Sequence, residues 1–271
     1  MEITTQFDEE MPVWQDYLPY LRRLSEHRFP VCRQLNELLK GDVCSQGGHR
    51  IRFVPSDELQ DEPYELRIFN SGRVSTRPNN WHDLFNALVW TRFPGIKVAM
   101  NACHNHAWSE QQTGQRGPLR DALTLFDECG VILFSSDTQI LKSRSERRWS
   151  DAFLHQQFLQ KAGLCVCGHA MLEKYLSPYK AMTAKALLIQ VSEAFMVQPR
   201  EDILLGLDQW VSSEMLAGRL LQSPRCMAPL PLAGVPGWWP RDEQEQDDFY
   251  RDFQVFRPAP ANLQPAPVHC L

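Results

Sequence analysis

Hydrophobic residues along this chain recur with two different periods, and that switch restricts its fold more than any single motif does. In residues 9 to 24, Met11, Trp14, Leu18 and Leu21 return at helical spacing. Residues 30 to 40 repeat the pattern through Val31, Leu35, Leu38 and Leu39, with Gly41 as a stop. The period then shortens. "HRIRFV" and "YELRIF" alternate apolar and polar side chains, as half-buried strands do, and "NSG" at 70–72 supplies turn chemistry before "RVSTRP". Both periods in one chain point to an α+β fold, a mostly helical single domain with a small antiparallel β-hairpin or sheet.

The stretch "NNWHDLFNALVWTRFP", residues 79–94, predicts a helix. Asn80 is the N-cap, Asp83 sits near the positive end, and Trp81, Leu84, Phe85, Leu88 and Val89 form an apolar stripe. Pro94 ends it, because the residue before a proline avoids helical geometry. A second helix, over 95–108, ends in "NACHNHAW". "LTLFDECGVILFS", 123–135, reads as a β-hairpin turning at Glu128, Cys129 and Gly130. Residues 147–162 read as helix, "GLCVCGHAMLEKYL" as a short strand and then a helix, "AKALLIQV" as a strand, and 200–221 as a long amphipathic helix.

After Ser223 the chain becomes rich in proline and carries Trp238 and Trp239 side by side. Proline favours extended chain without internal hydrogen bonds. The expected organisation is a main domain over 1–223 with the helices of 1–41 packed on it. A strap over 224–258 lies across the same domain, and 259–271 forms a flexible tail.

With 43% hydrophobic residues in 271, the chain has enough apolar material for a sizeable core. Its formal net charge is -5, and "RDEQEQDDFYRD" (241–252) alone holds six acids and two arginines. The remainder is near neutral, so no strong field is expected to steer a charged partner, and nucleic-acid binding through Arg67, Arg73, Arg77 and Arg92 is disfavoured. The acidic start lacks the pattern of a secretory signal, and no apolar run approaches the roughly 18 residues of a membrane helix. Eight scattered cysteines suit reduced thiols. The expectation is a cytoplasmic protein with no membrane contact.

Four polar groups stand out. His82, Asp83 and Asn86 cluster at the head of the 79–94 helix; capping explains Asn80 and Asp83, but not His82 with Asn86. A histidine at a helix start is held toward its neutral form, fit to serve as a base or a ligand. "NACHNHAW" brings together Asn101, His104 and His106, weak metal candidates against a surface reading. Arg120, Asp121, Asp127 and Glu128 fall within nine residues and suit either structural ion pairs or a polar substrate. Cys165, Cys167 and His169 alternate, as zinc ligands on an extended chain would, yet no second ligand pair of standard spacing completes a set. No GxGxxG, GxxxxGK[ST], GxSxG or HExxH motif is present.

The segments "GRVSTRPNNWHDLFNALVWTRFPGIKVAMNACH", "RGPLRDALTLFDECGVIL", "GHAMLEKYLSPYKAMTAKAL", "PLPLAGVPGWWP" and "FYRDFQVFRP" together resemble a bacterial family, domain of unknown function 3025. The resemblance runs from about residue 50 to 258. It implies a soluble bacterial protein without an assigned activity, and a shared pattern that includes His82, Asp83, Asn86, Arg120, Asp121, Asp127, Glu128, His169 and Glu173.

Two functional classes follow. In the first, an enzyme of hydrolase or transferase type, His82, Asp83, Asp121 and His169 are catalytic and Asn86, Asn101, Arg120 and Glu173 hold a small polar substrate, with metal assistance open and no cofactor assigned. In the second, a non-catalytic binding or assembly protein, the arginine–acid pairs brace the fold and the tryptophan–proline strap meets a protein partner. Proximity of His82 to Arg120 or His169 in the folded chain separates them.

Overall fold

The computed structural model describes residues 8–24, 29–39, 41–56, 62–109, 117–153, 155–246 and 248–271. In chain order its elements are α1 (Leu18–Arg23), α2 (Cys32–Leu38), β1 (Arg52–Pro55), α3 (Tyr64–Ser71), β2 (Arg73–Thr76), α4 (Trp81–Arg92), α5 (Pro94–Ser109) and α6 (Pro118–Cys129). There follow β3 (Gly130–Ser135), α7 (Thr138–Ser145), α8 (Trp149–Ala152), α9 (His155–Lys161), β4 (Ala162–Val166), α10 (His169–Lys174) and β5 (Thr183–Gln190). The chain closes with α11 (Glu193–Met196), α12 (Arg200–Leu216), β6 (Ala228–Pro231), α13 (Arg241–Gln244) and β7 (Val268–Cys270). This is an α+β fold.

The main sheet is mixed and centred on β5. One edge of β5 pairs in parallel with β3, which pairs antiparallel with β4. A strand has only two edges, so β6 and β7 share the other one end to end: β6 antiparallel along Thr183–Ala186, β7 parallel along Leu188–Gln190. Ala184, Ala186, Leu187, Leu188 and Ile189 are all buried, the continuous apolar run of a strand covered on both faces.

Two strand expectations are overturned. "YELRIF" is α3, not a strand. It joins β1 to β2, which pair in parallel from Arg52↔Arg73 to Pro55↔Thr76, and parallel neighbours need a crossover rather than a tight turn. Gly72 ends that helix in the left-handed conformation (φ 68°), so "NSG" is a helix stop. Likewise there is no hairpin at 123–135: the first half is the last two turns of α6, and only Gly130–Ser135 is strand. Ala122, Leu123 and Phe126 are buried at helical spacing, a pattern that a strand reading of "LTLF" conceals.

The N-terminal helix of 9–24 is shorter than its periodicity suggests, a single 3₁₀ turn at Pro12–Trp14 and then α1. Each piece opens at a proline (Pro12, Pro19), which is tolerated only in a first turn. Trp14 stacks on Phe85 with ring centroids 5.7 Å apart, and the Tyr17 hydroxyl donates to the Val166 carbonyl, so this segment is tied into the core.

The proline-rich chain after Ser223 folds onto the sheet through β6, and Trp238 is buried against Tyr175. Within the segment 259–271, expected to be a flexible tail, Val268–Cys270 pairs with β5 as β7. Among the described residues no helix is long and apolar enough to cross a membrane.

Candidate functional site

Two histidines meet at the heads of two helices. Asn80 caps α4, its side-chain oxygen accepting from the Asp83 amide, which fixes His82 in the first turn. Gly168 caps α10 and fixes His169 likewise. A Cβ on residue 168 would lie 2.7 Å from both the Cys129 nitrogen and the Glu128 carbonyl oxygen, so only glycine lets α10 dock on the α6–β3 junction. The backbone nitrogens of Cys167 and Gly168 both donate to the Gly130 carbonyl there. The end of α6, with Asp127 and Glu128, is thereby set beside both imidazoles.

The His82 and His169 Nε2 atoms stand 2.9 Å apart, rings nearly perpendicular. Behind His82, Nδ1 lies 3.0 Å from Glu173 Oε2. Behind His169, Nδ1 is buried, lacks a hydrogen bond, and lies 3.7 Å from Asp127 Oδ1, within electrostatic but not hydrogen-bond reach. Glu173 at His82 Nδ1 favours the proton on that nitrogen and leaves the His82 Nε2 lone pair facing His169; the His169 Nε2 either donates to it or, with the proton on Nδ1 toward Asp127, presents a second lone pair. With two lone pairs facing, the nitrogens are placed to share a cation, a proton or a metal ion, between them. Glu128 Oε1 is 3.9 Å from His169 Nε2, and the donor atoms of His82, Glu128 and His169 all fall within 4.8 Å of one another. Nitrogens about 2.1 Å from one ion stand roughly 3.0 to 3.4 Å apart at right-angled to tetrahedral coordination, so a small outward shift of either ring would admit one.

A cavity of about 470 Å³ opens onto these atoms. Four acids line it, Glu65, Asp83, Asp127 and Glu128, against Arg77 and Arg120. Burial alone would raise the Asp127 carboxyl, but the Lys97 ammonium, 2.5 Å away, and His169 hold it well below the usual carboxylate range. Lys97 also donates to Asn86 Oδ1, and Asn86 donates to the Tyr64 hydroxyl. Burial raises the Glu65 carboxyl, against the hydrogen bond it accepts from Asn101. Asp83 is held down instead: burial would raise it, but Arg77 grips both its oxygens and offers its own backbone amide as well.

Of the residues singled out in the sequence, the fold brings His82, Asp83, Asn86, His104, Arg120, Asp127, Glu128 and His169 to this cavity, with Glu173 behind His82 and Asn101 behind Glu65. Asp83 and Asn86 are engaged by Arg77 and Lys97. Asp121 lies in the first turn of α6 and does not line the cavity, nor does His106. Cys165 and Cys167 are buried in the core, and the alternation that would align them with His169 ends where α10 begins. The sequence alone gives no sign of Tyr64, Glu65 or Lys97 at this site, presents Arg77 only among disfavoured nucleic-acid contacts, and sets Glu128 in a turn rather than beside the histidines. For Glu128 a signal exists: Arg120, Thr124, Asp127 and Glu128 repeat at four, seven and eight residues, one helix face.

Residues 51–260 match the model of a family described as "Protein of unknown function (DUF3025)". No curated protein and no solved structure matches the chain.

Proposed function

The chain belongs to the DUF3025 family, whose description carries no activity, and from its own residues we propose a metal-assisted hydrolase or transferase working at the His82–His169 cavity. The observation that carries this reading is the pair of Nε2 atoms 2.9 Å apart, each imidazole backed by a carboxylate and both close to Glu128. His82, His169 and Glu128 would hold one divalent ion; two imidazoles and a carboxylate suit zinc and related transition metals. Such an ion polarises a carbonyl or phosphoryl oxygen and acidifies water.

The protein's own groups divide the remaining work. Glu173 and Asp127 orient the imidazoles and strengthen them as donors. Arg120, which lies over the Trp108 ring at 4.7 Å, faces the cavity as the anchor for an anionic substrate group. Glu65, its carboxyl raised by burial, is the group best suited to give a proton to a leaving atom.

A screen of chromogenic phosphate, ester and amide substrates on zinc- and manganese-loaded protein tests the reading. It predicts turnover of at least one class, lost in His82→Ala and in His169→Ala. Turnover that survives both substitutions and chelation would remove this cavity as the active site.

A further inference from the structure

A second cavity, of about 680 Å³, shares no lining residue with the first. Its walls come from the end of α7, the start of β5, β6 and the C-terminal chain. Four charged side chains line it, Arg147, Lys185, Arg225 and Arg257, and all are cations. None of the four has an ion-pair partner among the described residues, in a chain whose formal net charge is -5. Like charges gathered in a cleft without acids focus a positive field there and draw in anions.

A further observation points the same way. Arg147 is held in the left-handed backbone region (φ 57°), a strained state for a side chain of this kind, and its Nε is buried without a hydrogen-bond partner. Buried donors without acceptors are costly, and a ligand supplying acceptor oxygens offsets that cost.

We propose that this cleft binds the phosphate chain of a small polyphosphate, with Arg147, Lys185, Arg225 and Arg257 as its counter-charges. Guanidinium groups match phosphate oxygens in paired hydrogen bonds. A single phosphate carries about −2 and leaves about half of the four positive charges uncompensated, whereas each added phosphate contributes roughly one charge more. A di- or triphosphate therefore balances the site, and the cavity volume falls in the range of small-molecule pockets.

Calorimetric titration of the full chain at physiological ionic strength, with chelator present, tests this. Inorganic tripolyphosphate is the probe, beside pyrophosphate, orthophosphate and ATP. The expected result is saturable one-to-one binding, tripolyphosphate and ATP tighter than orthophosphate. Equal affinity for the first two places recognition in the phosphates, and tighter ATP adds a contact to the base. Arg225→Ala and Arg257→Ala should each weaken binding about tenfold or more, while Arg33→Ala, far out in solvent beside Glu37, leaves it unchanged. His82→Ala should also leave it unchanged, which separates this site from the histidine cavity. Absence of saturable tripolyphosphate binding, equal weakening by Arg33→Ala, or affinity that rises with oligonucleotide length would overturn the assignment.

Discussion

At the scale of single residues, His82 and His169 differ in how much fold rests on them. The His82 side chain is 33% exposed and its partners are polar, so His82→Ala should change unfolding free energy by less than about 1 kcal/mol in urea titrations. A loss of several kcal/mol would make His82 a structural group. His169 is 5% exposed at the side chain, and its replacement by alanine should cost about 1 to 3 kcal/mol. Glu173 offers a sharper test, because it meets His82 at Nδ1, the ring nitrogen opposite the one that faces His169. Glu173→Gln should keep the protein folded and weaken zinc binding roughly 10- to 100-fold by competition titration. Unchanged affinity would mean that Glu173 only fills surface space.

At the scale of elements, α5 depends on a cap supplied from another helix. Pro94 opens it, and Asp208 of α12 accepts from the Gly95 and Ile96 amides. Burial nevertheless pushes the Asp208 carboxyl up to about 6, against those two hydrogen bonds. A carboxyl raised above its unfolded value of about 3.9 adds stability while protonated. That contribution is full below the unfolded value and is lost as pH rises through about 6. Stability measured from pH 4 to pH 7 should therefore decline less in Asp208→Asn than in the parent chain; an equal slope would place the titration elsewhere. The same element scale shows what can be read in advance. The α4 helix is legible from Asn80 to Pro94, because cap, stripe and stop follow one another along the chain. The last turns of α6 are not. Leu123, Leu125 and Phe126 next to "GVILF" look like one arm of a hairpin, and only the packing of Ala122, Leu123 and Phe126 shows the helical period. With that turn misplaced, Asp127 and Glu128 look like loop acids rather than neighbours of His169. Lys97, which meets Asp127 thirty residues on, has no local signal at all.

At the scale of the whole molecule, the near-neutral balance outside the acidic 241–252 segment hides a separation of charge. Acids outnumber cations around the histidines, and the 680 Å³ cleft has cations alone. Net charge averages these away. The C-terminal chain matters for the same reason: its residues 260 to 266 wall that cleft and β7 completes the edge of β5. Removing residues 267–271 should uncover the β5 backbone at Leu188–Gln190 and cost about 1 to 3 kcal/mol by urea unfolding; no loss would show that the edge needs no partner. The proposed metal site rests on two imidazoles facing each other across 2.9 Å. Elemental analysis of purified protein after zinc loading and desalting tests it most directly. One zinc per chain is expected in the parent protein and none in the folded His82→Ala, His169→Ala double variant. A metal-free parent, or a variant that retains the same zinc, would contradict it.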